Sequence, residues 1–467
     1  MTTRIARRLA ALLGASMLAV SLPAAPPRVV APWRVDPFPS TYRPLPRTDF
    51  LLTDAAILDG AGHRLDHGEI LVRDGKIVQI AAQLPHPAGI RVIDAQGRWV
   101  TPGIIDVHTH NGTFVVPLTD IDKDSSDVSE LDNPNVADTW IETAINVQDT
   151  GFSRALEGGV TTMQVLPGSS PIFGGRSVIV HPIAATHVAA MKVPGAPQGF
   201  KMACGENPKS QDADAHDIHG PTSRQGEIAF IREAFMAAQD YRDAWDRFAA
   251  GKAAAPPKRD LKLEALAGIL AGDIRVNMHC YRSDDMATML EVAHEFDFTI
   301  GSFHHAAEAY KIPALLRQAG TCAAVWGDWW GFKMEALDGV RANAALLDRA
   351  GVCVTMHSDS AITGQRLAIE AAKAGGAARA LGIEVPPERM IRWVTSNPAR
   401  VLGMADRIGT LAPGYDADLV IWSASPFSIY ARADLVVIDG AVAYDRAAPP
   451  PHSSSDFELG RIGAPRP

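Results

Sequence analysis

Thr101-Pro-Gly-Ile-Ile-Asp-Val-His-Thr-His110 decides the fold. It reads as an apolar strand that ends in two histidines one residue apart. Side chains alternate along a β-strand, so His108 and His110 point the same way. Two neutral imidazoles converging at the end of a buried strand supply half the ligands of a divalent transition-metal site. Two hydrogen-bonded core histidines would look the same in isolation, so the rest of the chain must discriminate.

Downstream, apolar strand-like runs recur at 160–165, 200–204, 274–278, 298–303, 322–326 and 352–356. Helical patterns separate them. The clearest places Ile228, Ile231, Phe235, Ala238, Tyr241, Trp245 and Phe248 at helical spacing behind an N-cap at Thr222 or Ser223. Others cover 286–296, 342–350 and 365–380. Strand–helix alternation on this scale predicts an α/β fold, a (β/α)8 TIM-type barrel over 102–404. In such a barrel, chemistry sits where strands end and helices begin. His279, the pair His304-His305 and Asp359 each follow an apolar strand and precede a helix. His357, two residues before Asp359, reads as a packed core histidine or an extra substrate contact, the former favoured.

Both chain ends are β-rich. Asp74-Gly75 between Leu71-Val72-Arg73 and Lys76-Ile77-Val78 is a hairpin turn, and Asp439-Gly440 repeats the pattern. Neither end has enough strands for a core of its own, so 48–101 and 405–446 are expected to join as one small composite β-sandwich. Residues 26–47 read as a Pro-rich surface arm and 447–467 as a loose tail. Residues 1–25 carry Arg4, Arg7 and Arg8, an apolar run and Pro23-Ala24-Ala25, the layout of a signal peptide. A periplasmic or secreted protein without a membrane span in its mature form is expected; Arg7-Arg8 hints at the twin-arginine route.

The chain has 467 residues, a formal net charge of −9 and no basic stripe, which argues against nucleic acid as a partner. No nucleophile elbow supports a serine hydrolase, and Gly174-Gly175-Arg176 is not a phosphate loop. The four cysteines, Cys204, Cys280, Cys322 and Cys353, show no framework spacing and read as buried free thiols. Tyr281 and Arg282, directly after His279, are candidate substrate contacts. Trp326, Trp329 and Trp330 line a pocket or pack a loop. Specificity is expected in 111–150, 167–199, 207–221 and 327–340. A homo-oligomer stays open.

Pro102-Gly-Ile-Ile-Asp-Val-His-Thr-His110, two later strand-end histidines and Ser358-Asp359 resemble the metal-dependent amidohydrolase superfamily. Residues 200–209, 305–311, Asn397-Pro-Ala-Arg-Val-Leu-Gly403 and 409–419 are similar to its imidazolonepropionase-like branch. The resemblance covers about 48 to 446. It implies a barrel with a composite β-sandwich, one or two divalent ions (zinc first among them) and a metal-activated water acting on a C–N bond of a cyclic amide, an amide or a small peptide. Carried over by position, His108 and His110 would bind the more buried ion, and His279 and His305 the second. Asp359 would ligate the first and shuttle the proton. His304 departs from the acidic residue of similar members; of the two adjacent histidines, His305 is favoured to face inward. An anionic bridge falls to Lys201, carboxylated to a carbamate because an unpaired ammonium in an apolar strand is costly, or to Glu206. The rival activities are dipeptidase and deaminase; the rival without catalysis is a binding protein on a decayed barrel.

Overall fold

The computed structural model describes residues 30–114, 125–209 and 220–448. The predicted signal peptide, most of the C-terminal tail and parts of two expected specificity loops lie outside them. Two sheets organise the chain. The first contains β1 (Phe50–Leu58), β2 (Arg64–Arg73), β3 (Lys76–Ala81), β4 (Arg91–Asp94) and β5 (Trp99–Pro102). The second is built from β6 (Ile104–Thr109), β7 (Val160–Val165), β8 (Phe173–Val180), β9 (Gln198–Ala203), β10 (Ile274–Cys280), β11 (Ile300–His305), β12 (Cys322–Val325) and β13 (Val354–Met356). The chain then returns to the first sheet with β14 (Leu419–Trp422), β15 (Ala433–Ile438) and β16 (Ala441–Asp445).

In the first sheet β14 pairs antiparallel with β5, so strands from both chain ends share one hydrogen-bonded surface. The turn residues explain its hairpins. Asp74 and Gly75 have φ of 51° and 77°, and Asp439 and Gly440 have 49° and 74°. Two successive positive-φ residues match the right-handed twist of flanking strands, and Asp-Gly is the pair that tolerates them.

The second sheet runs in order from β13 to β6. Its pairs are parallel except at β8, which is antiparallel to both β7 and β9. The all-parallel expectation is therefore corrected: 173–180, assigned to a specificity loop, form a buried strand. The seven-residue link between β7 and β8 (166–172) is too short for a crossover, so the chain must return antiparallel. At the open edge the backbone N–H of Asp359 donates to the carbonyl of His108 at 2.9 Å, and the N–H of Ser358 to Asp106 Oδ1 at 3.2 Å. These contacts bring the two edges of the sheet together just where the His-x-His pair ends.

The long helix spans Arg224–Ala249, with the Ser223 hydroxyl accepting from the N–H of Gly226. Ile231, Phe235, Ala238, Tyr241 and Trp245 form its buried stripe. The arm before β1 is pinned in place. Trp33 is buried and donates from Nε1 to Asp273 at 3.0 Å, and the Tyr42 hydroxyl donates to Asp439 at 2.8 Å.

The cysteines are not free thiols. Cys204 bonds to Cys280 and Cys322 to Cys353, with Cα–Cα distances of 5.3 and 4.6 Å. Their sequence separations, 76 and 31, conceal what the sheet creates, since adjacent strands hold Cα atoms at bridging distance.

Candidate metal centre

The strand ends of the second sheet converge on one buried cluster. Nε2 of His108 lies 3.3 Å from Nε2 of His110 and 3.3 Å from Asp359 Oδ1, and His110 Nε2 is 3.1 Å from that same oxygen. His305 Nδ1 is 3.8 Å from Asp359 Oδ2 and 3.0 Å from His357 Nε2. The His279 ring packs against His305 with centroids 4.5 Å apart. Two sets, His108–His110–Asp359 and His108–His305–His357, each bring three ligand atoms within 4.8 Å of one another.

The donor chemistry fits a cation. His110 donates from Nδ1 to the carbonyl of Leu166 at 2.7 Å, and His357 from Nδ1 to that of Val325 at 3.2 Å, so each turns a lone pair on Nε2 towards the cluster. Neither nitrogen of His279 has a hydrogen-bond partner among the described residues, although the side chain is buried. A buried imidazole without partners is costly unless something outside the protein engages it.

Burial, and then the Lys201 charge, hold His108 and His279 well below the ordinary imidazole range. Burial does the same to His304 and His305, and pushes His357 down to about 4. Metal ligation requires neutral imidazoles, and His108, His279, His305 and His357 meet that condition. Burial alone would raise Asp359, but its contact with His110, followed by the nearby His357 and Lys201, outweighs it and keeps the carboxyl below its usual range. Lys201 is fully buried; its Nζ lies 3.4 Å from His108 Nε2 and 3.2 Å from the carbonyl of Pro167. Burial lowers its pKa to about 8.

The predicted residues separate here. His108, His110, Lys201, His279, His305 and Asp359 gather in the cluster. Glu206 pairs with Lys333 at 3.7 Å, and Lys333 lies 4.5 Å over the Tyr281 ring, so of the two bridge candidates Lys201 is seen against the histidines. Tyr281 stacks on His305 at 5.2 Å and 19°. Arg282 does not join it: its guanidinium pairs with Asp284 at 2.9 Å at the exposed start of the next helix. It stands one position beyond Tyr281, where alternation turns a side chain away.

The choice between His304 and His305 dissolves, because both face the cluster. Nδ1 of His304 lies 2.7 Å from Nδ1 of His108. His305 and Ala306 have φ of 71° and 42°, and Asp359 has 51°. The backbone leaves β geometry at His305, so two successive side chains both reach the His108 ring, at 4.8 and 4.9 Å between centroids; such strained residues cluster at functional sites. His357, read as core packing, is a potential ligand. Its position two residues from Asp359 was the available signal.

Above the cluster a cavity of about 420 Å³ opens, lined by His305, Trp326, Trp329, Trp330 and Asn343 among others. Trp326 lies 4.4 Å from the His305 ring and stacks on Trp329 at 4.7 Å.

Residues 267–444 match the amidohydrolase family. Over 436 residues the chain is 29% identical to an amidohydrolase named tasK from Hapsidospora irregularis, covering 87% of this chain and 42% of that protein. It therefore spans less than half the length of that relative. An imidazolonepropionase from Mesorhizobium japonicum is 24% identical over 77% of this chain and 87% of its own length. The crystal structure of an amidohydrolase from Thermotoga maritima MSB8 superposes with a TM-score of 0.76 at 29% identity, covering 85% of this chain and 100% of that one.

Proposed function

Because this chain belongs to the amidohydrolase superfamily, in its imidazolonepropionase-like branch, we propose that it is an exported metal-dependent hydrolase of a C–N bond in a cyclic amide, an amide or a small peptide. One observation carries the reading: His108, His110 and Asp359 converge to 3.1–3.3 Å beside a buried His279 whose two nitrogens lack hydrogen-bond partners among the described residues. We assign the whole second sheet with its helices to a (β/α)8-type barrel, and the strands of both chain ends to a β-sandwich beside it.

His108, His110 and Asp359 would hold one divalent ion, with zinc first among the metals that suit this ligand set. His279, His305 and His357 would hold a second. A bound ion supplies positive charge that acidifies water and polarises a carbonyl. The protein's own groups do the rest. The Asp359 carboxylate, kept ionised by His110, accepts a proton from the attacking water and returns it to the leaving nitrogen. Lys201, with its pKa near 8, presents a neutral amine that would add carbon dioxide and lose a proton, giving a carbamate able to serve as an anionic ligand. The indoles of Trp326 and Trp329 form an apolar wall for the substrate and keep water from the far side.

Two disulfides support export, because such bonds persist in oxidising compartments. The test is elemental analysis of purified wild type beside His108→Ala, followed by a screen of dipeptides, hydantoins and lactams. Metal in the wild type, less in the variant, and hydrolysis of at least one class are expected. Amino-acid release would mark a dipeptidase and ammonia release a deaminase. A wild type that takes up no divalent metal would end the proposal and leave a binding protein.

A further inference from the structure

We infer that His304 is a positioning residue: with Ser302 and Asn277 it forms a neutral relay inside the barrel that fixes His108 in the tautomer able to bind metal. The inference rests on the reading that this cluster takes a divalent ion, yet its key step can be tested with no metal present.

The relay follows from counting protons. Asn277 and Ser302 are paired across β10 and β11, and His279 and His304 are paired one layer higher. All four are buried. The Ser302 hydroxyl donates to Asn277 Oδ1 at 3.2 Å, which uses its one proton. Its remaining contact, His304 Nε2 at 2.7 Å, must therefore be a bond that Ser302 accepts, so His304 carries its proton on Nε2. Nδ1 of His304 is then a lone pair. The neighbour at 2.7 Å, His108 Nδ1, must donate to it. That leaves Nε2 of His108 unprotonated and directed at His110 and Asp359. Lys201 fits this arrangement: its Nζ lies 3.4 Å from His108 Nε2, and whenever it carries protons it finds an acceptor there.

Ligating histidines ordinarily donate their second nitrogen to a carboxylate or a carbonyl, which orients the ring and raises its basicity. Here an imidazole takes that place. It accepts the bond without adding negative charge to a pocket that already holds Asp359. Because His304 lies beside His108 and not among the sets of ligand atoms that could surround an ion, its effect is exerted through His108.

The decisive experiment is ¹⁵N NMR of metal-free wild-type protein labelled at histidine, with the His108 signals identified by their loss in His108→Ala. The Nδ1–H tautomer of His108 is expected; the Nε2–H tautomer would overturn the inference whatever the protein later proves to bind. Zinc affinity by chelator competition gives the second readout. His304→Leu is expected to weaken binding by roughly 10- to 100-fold. His304→Asn, which places an acceptor oxygen where Nδ1 stands, should recover most of it. If both variants bind alike, or His304→Leu binds like wild type, His304 is only packing. Should His304→Leu not fold, the tautomer of the wild type alone decides. A wild type that binds no metal but shows the Nδ1–H form would sink the proposed function and leave the relay standing.

Discussion

Asp359 holds the most demanding position in the cluster. It touches His108, His110 and His305 through its carboxylate and closes the edge of the sheet through its N–H. Asp359→Asn preserves shape and backbone but removes the proton acceptor. We expect a fall in kcat of roughly 10²- to 10⁴-fold, with folding retained, in a steady-state assay on whichever amide proves to be a substrate. An unchanged kcat would remove Asp359 from proton transfer. The His-x-His pair, His279 and Asp359 were legible in the sequence because a polar residue at the end of an apolar strand has few other reasons to be there. His304 and His357 were not, because their orientation depends on where the backbone leaves β geometry. Arg282 stands outside the cluster, one position of alternation beyond Tyr281.

Among the elements, the Cys322–Cys353 bridge fastens β12 to the segment entering β13, where the sheet is narrowest. Closing a loop of 31 residues is worth about 2–4 kcal/mol through restriction of the unfolded chain. Replacing both cysteines by serine should lower unfolding stability by that amount in urea titration while leaving metal content intact, since neither touches the cluster. Stability equal to wild type would show that the sheet needs no fastening there. Strands with regular apolar runs were readable. β8 was not, because Gly174 and Gly175 interrupt its alternation and its direction is set by a short link rather than by its own residues. The disulfides were hidden for a related reason, since register between strands brings sulfur atoms together and no local spacing encodes it.

At the level of the molecule, His108, His279, His304, His305 and His357 are all buried and all depressed below the ordinary imidazole value. An unfolded chain protonates them near pH 6.5, whereas the fold resists, so the unfolded state binds more protons and stability falls as pH falls. The window runs from about pH 6.5 down to about 4, where His357 itself titrates in the folded state. Each histidine contributes a slope of at most about 1.4 kcal/mol per pH unit. Metal-stripped protein should therefore lose Tm steeply over this range in calorimetry. A flat profile would contradict a cluster of neutral imidazoles.

Trp326 lies 4.4 Å from the His305 ring, and Trp329 stacks on it in turn. Indole emission is quenched or shifted by changes in charge and polarity at such range. Filling or emptying the floor of the cavity thus alters a chromophore the polypeptide already carries, so it comes with its own optical gauge of occupancy.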